Sequence, residues 1–169
     1  MLVLAACSVA VVTDVTTRRI PNLLTAALAI AALAVHAFAG WSSLGIAVAT
    51  MIGVLLLGFV AFSFGWLGGG DVKLLAAGAA ALGLPDAVPF LIYTALAGGV
   101  FAVIFAIALG RVGNVFESVR LALRPFAFKG TVAVAPSKPI TLPYAVAIAS
   151  GAAAVALSHS ALPILRLPL

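Results

Sequence analysis

Gly68-Gly69-Gly70-Asp71-Val72-Lys73-Leu74 sets a carboxylate directly behind three glycines, deep in a chain that is otherwise almost continuously apolar. The chain has only four acidic residues, so each one lying beside hydrocarbon needs a reason. An ionisable side chain at membrane depth costs about 2.5 to 3.5 kcal/mol on insertion scales, which makes it a functional candidate by default. Glycines allow close backbone approach where a helix begins or breaks, and irregular backbone of this kind is tolerated in a bilayer only where it lines a cavity. Asp71 is therefore read as half of an interacting pair of carboxylates, and Asp14 as the other half.

Working outward, 65% of the 169 residues are hydrophobic and 8% charged, and the mean hydropathy is +1.33. A soluble domain averages about 25% charged residues, so the composition indicates an integral membrane protein. Long apolar blocks separated by short polar breaks predict an all-α, polytopic bundle of about six transmembrane helices, since only helices and closed barrels satisfy their backbone in lipid. The period-2 alternation of a barrel is absent. The expected helices are 2–15, 21–38, 44–64, 71–84, 87–109 and 140–157, in a single membrane-embedded domain covering 1–169. Gly40-Trp41-Ser42-Ser43 reads as a turn, with Trp41 as an interfacial anchor. Pro85-Asp86 reads as another, and residues 111–139 as a basic loop.

The positions of the basic residues predict orientation. Arg18, Arg19, Lys73, Arg111, Arg120, Arg124, Lys129 and Lys138 fall on or near one side, and Arg166 alone on the other. By the positive-inside rule the first side is cytoplasmic, so both chain ends face outward. This asymmetry accounts for the net charge of +5, and no nucleic-acid partner is expected. Residues 2–13 extend for roughly 18 Å as a helix, against about 30 Å of hydrocarbon. The 71–84 segment is similarly short, which puts Asp14 and Asp71 below the cytoplasmic surface. Lys73 must then snorkel to the surface or pair with a carboxylate. Arg120 and Arg124, four apart among apolar residues, resemble a basic helix lying on anionic lipid.

Two carboxylates facing each other in a shielded site hold a shared proton, so that one activates water while the other protonates the substrate oxygen or leaving amine. That chemistry requires no metal or cofactor. With two histidines and one cysteine in the chain, a His- or Cys-based metal site is not expected. No serine has an evident base beside it.

These residues carry a family resemblance. Asp14-Val15-Thr16-Thr17-Arg18-Arg19-Ile20-Pro21-Asn22 resembles the first active-site motif of the type IV prepilin peptidases. Gly68-Gly69-Gly70-Asp71-Val72-Lys73-Leu74 resembles their second, the GxGD motif of intramembrane aspartic proteases. Leu142-Pro143-Tyr144-Ala145-Val146-Ala147-Ile148-Ala149-Ser150-Gly151 is similar to the family's last helix. The resemblance implies a six-helix enzyme of the bacterial inner membrane that cuts the basic leader from prepilins at the cytoplasmic face, with Asp14 and Asp71 catalytic. Full-length members also carry a cytoplasmic domain with paired CxxC zinc motifs, and many methylate the new N-terminus. The chain is expected to be the short form found with tight-adherence (Flp) pilus systems, without that domain.

Around the two acids, Gly68, Gly70, Lys73, Arg18 and Asn22 are candidate site-shaping residues. Each also has a plainer reading. Asp71 could cap the fourth helix, and Asp14 could pair with Arg18 at i, i+4. Arg18 and Arg19 could set topology, Lys73 could anchor, and Asn22 could open a helix. His36 is read as interfacial, Cys7 as packing, Gly98-Gly99 as a close helix contact, and Asp86 as a turn residue. The rival from another class is a small proton-coupled transporter with Asp14, Asp71 and Lys73 as its relay.

Overall fold

Apolar runs of this length must close their hydrogen bonds internally, and the described residues do so with helices. The computed structural model describes residues 2–108 and 144–161. Among them are six helices and no strand: α1 (Leu2–Thr17), α2 (Asn22–Ala39), α3 (Trp41–Ser63), α4 (Gly69–Leu82), α5 (Leu84–Ala108) and α6 (Tyr144–Ala161). Three of these, α2, α3 and the Leu84–Phe105 part of α5, are long and apolar enough to cross a membrane, and α1 and α6 contain shorter apolar stretches. The basic loop 111–139, residues 140–143 and Arg166 lie outside the described residues. By its internal contacts the chain divides into one unit, Met1–Gly98 with Pro143–Leu169, and a second, Gly99–Leu142.

Two expected turns are tighter than the composition suggested. Gly40 alone breaks the chain between α2 and α3, at φ 128°, so Trp41, Ser42 and Ser43 form the first turn of α3. His36, in the last turn of α2, is tied to that turn by a 2.7 Å hydrogen bond between its Nδ1 and Ser43 Oγ. Likewise α4 ends at Leu82, and Gly83 at φ 80° makes the whole connection. Pro85 and Asp86 then sit in the first turn of α5, where a missing N–H is harmless and a carboxylate favours the helix dipole. In both places a glycine with positive φ reverses the chain in one residue, a conformation other residues rarely adopt.

The short helix α4 is the centre of the unit. Val72 and every residue from Leu74 to Ala80 are buried, and the helix packs chiefly against α3 and α2, with α1 and α6 also in contact. Small side chains permit this close approach. On α3, Gly58 lies so near Val72 that a Cβ there would overlap the Val72 side chain. On α4, Gly78 leaves room for the ring of Phe90, itself fully buried. The outward faces are apolar too: Leu23, Phe38 and Trp41 are each more than four-fifths exposed, as suits a lipid-facing surface.

Helices α5 and α6 meet through two glycine notches. Gly98 receives the ring of Tyr144, and Gly151 receives the hydroxyl of Thr94. At their far end, Asp86 and His159 are paired at 2.9 Å. A Cβ on Gly151 would collide with Thr94 Oγ1 and lie 2.9 Å from Thr94 N and 3.0 Å from Phe90 O. Backbone cannot yield as a side-chain tip can. Gly151→Ala is therefore expected to destabilise the protein by about 1–3 kcal/mol, the usual range for overpacking, seen as earlier thermal unfolding in detergent. Gly53→Ala, where a Cβ meets nothing within 4 Å, is the control and should be neutral or slightly stabilising.

Candidate active site

Asp14 lies one turn before the end of α1 and is 8% exposed. Its Oδ2 accepts a 3.2 Å hydrogen bond from the backbone N–H of Ala145, 131 positions away. Ala145 is in the first turn of α6, where backbone N–H groups lack partners within the helix and the dipole favours negative charge. One carboxylate is thus held at the end of a helix remote in sequence.

Asp71 is held locally. Helix α4 starts at Gly69 after Gly68 as N-cap, so Asp71 is the third helical residue and not the cap itself. Its Oδ2 accepts from the Gly68 N–H at 3.2 Å, the reach-back half of a capping box. The two acids line one cavity of about 280 Å³, together with Arg18, Arg19, Ile20, Asn22 and the three glycines. Tyr144, whose ring lies against Gly98, precedes Ala145 at the start of α6.

The glycines differ in what surrounds them. A Cβ on Gly68 would lie 2.8 Å from Asp71 Oδ2, so any side chain there displaces the carboxylate. A Cβ on Gly70 would lie 3.2 Å from Ile20 Cβ, in the link between α1 and α2. A Cβ on Gly69 meets only Phe62 at an ordinary 3.7 Å. By contact, the first position of the triplet is the most restricted, the third is tight and the second is open.

The α1–α2 link is built around an unusual residue. Arg18 has φ 54° and donates its N–H to Asp14 O at 3.0 Å, the single bond of a left-handed helix cap. Glycine normally occupies that position, and another residue there carries strain of about 1–3 kcal/mol. This turn directs Ile20 onto Gly70 and brings Asn22 to the cavity. Lys73 is exposed and donates from Nζ to Asn22 Oδ1 at 2.9 Å, so its charge is matched by an amide.

Of the candidate site residues, Asp14, Asp71, Gly68, Gly70, Arg18 and Asn22 thus share one cavity, and Lys73 lies beside it through its bond to Asn22. Sequence reasoning missed Ala145 and Ile20. The first contributes only a backbone N–H, which no residue type advertises. The second touches through an aliphatic side chain, although the tightness of Gly70 implied some neighbour.

Compared with known proteins, residues 1–103 match the family model described as the type IV leader peptidase family. No curated protein and no solved structure matches the chain.

Proposed function

We propose, on the premise that the chain belongs to the type IV leader peptidase family, that it is an aspartic endopeptidase removing the leader from prepilins. It is a multi-pass membrane protein of a peptidase family, and the aspartic mechanism rests on one observation: Asp14 and Asp71, far apart in sequence, line a single cavity. One carboxylate takes a proton from water as the oxygen attacks the scissile carbonyl carbon, and the other, protonated, gives its proton to the carbonyl oxygen. As the tetrahedral intermediate collapses, the C–N bond breaks and a proton passes to the leaving amine. The reaction needs no cofactor.

The basic residues near this end of the bundle support a cytoplasmic site in the bacterial inner membrane, with both chain ends outside. A prepilin, an apolar helix with a basic leader, would present its scissile bond at that depth. The test is incubation of the purified protein, in lipid vesicles, with a prepilin. A shortened product and a released leader are expected. Proton flux without cleavage would overturn the proposal in favour of a transporter.

The triplet makes a sharper expectation. Gly69→Ala should keep cleavage within about twofold and Gly68→Ala should lower it by tenfold or more, because displacing a catalytic group by about 1 Å can cost 10²-fold; Gly70→Ala, which asks only a small shift of Ile20, should fall between them. Initial cleavage rates of the three variants check this. Equal losses at all three would show that the contacts do not explain the motif.

A further inference from the structure

A second cavity, about 400 Å³, opens between α2, α3 and α4. Its polar mouth is formed by Asn22 and Lys73, and its apolar walls include Ala29, Met51, Leu55 and Ala76. Along α2 it runs from Asn22 to Ala29, seven steps or about 10 Å of helix. Asn22 lines both this groove and the cavity of the two aspartates, so the two spaces adjoin. The Lys73–Asn22 hydrogen bond stands at their junction.

We propose that this groove holds the apolar helical segment of the substrate that follows the scissile bond, while the cavity beside it holds the bond itself. The proposal rests on the leader-peptidase reading of the aspartates. A peptide bond must leave the helix to be cut, and its freed carbonyls then need donors. The Lys73 ammonium has three N–H groups, one of them used by Asn22, and it sits where the chain would pass from unwound to helical. Below it, alanines on α2 and α4 leave a trough for side chains on one helical face, which dispersion and close packing can hold in lipid. Specificity for an apolar segment is then built into the wall of the site.

Cysteine cross-linking tests this. Cys7 is the sole cysteine and is 1% exposed, so the parent chain should be silent. Ala29→Cys and Met51→Cys are made in an Asp71→Asn chain, which retains uncut precursor. Ile30→Cys, 69% exposed on the adjoining face of α2, is the control. Precursors carry single cysteines at successive positions after the scissile bond. Ala29→Cys and Met51→Cys should give disulfides at positions three or four residues apart, at least fivefold above Ile30→Cys. In a second measurement, with Asp71 intact, Ala29→Phe should raise KM by tenfold or more and leave kcat within about twofold. Cross-linking no stronger than at Ile30→Cys, while the parent chain cleaves the cysteine-free precursor, overturns the groove and leaves the peptidase standing. No cleavage by the parent chain overturns both.

Discussion

Asp14→Asn and Asp71→Asn are each expected to lower leader cleavage by about a thousandfold, within the 10²–10⁴ range for a positioned acid or base, while leaving the fold intact. Each amide oxygen can still accept the bond that its carboxylate now takes, from Ala145 N–H in one case and Gly68 N–H in the other. The cavity therefore keeps its shape and loses only an ionisable group. On the aspartic reading the two groups act as one unit, so the double variant should be scarcely worse than either single one. Rates from single-turnover cleavage, beside thermal unfolding of the same preparations, separate chemistry from stability. Substantial cleavage retained by either variant would end the aspartic reading.

The second large effect belongs to a residue whose side chain is only a methyl group. Ala145→Pro removes the N–H that Asp14 accepts, at a first-turn position where proline is otherwise tolerated by a helix. Hydrogen bonds to charged groups contribute about 1.5–3 kcal/mol, so cleavage should fall about 10- to 100-fold. On the aspartic reading the loss should lie in kcat, because Asp14 then acts on the scissile bond and not in the groove. Ala145 is fully buried, so Ala145→Val, which adds comparable volume and keeps the N–H, serves as control. If valine is as damaging as proline, crowding and not the hydrogen bond is responsible.

Helical class was readable because apolar blocks with so few charges have one economical solution in lipid. Asp14 and Asp71 stood out for the same reason, as carboxylates in the wrong solvent. The turns were less legible. Trp41-Ser42-Ser43 and Pro85-Asp86 have the composition of loops, yet single glycines at positions 40 and 83 complete the reversals and release those residues to begin helices. The contact between Ile20 and Gly70, and the bond between Lys73 and Asn22, 51 positions apart, follow from how α1, α2 and α4 pack. Neither leaves a periodic trace along the chain. Whether Lys73 would snorkel or pair was open at that level, and a neutral amide as its partner was not among the choices.

The anchoring of Asp14 by Ala145 bears on how far a motif search can be trusted. Both acids lie within the region the family description matches, residues 1–103, yet the amide that anchors the first lies well downstream. A fragment ending after α5 would display both acid-bearing motifs and still have one acid untethered. In this architecture, possession of the diagnostic residues and possession of a working centre are separable properties, and the last helix is where they part.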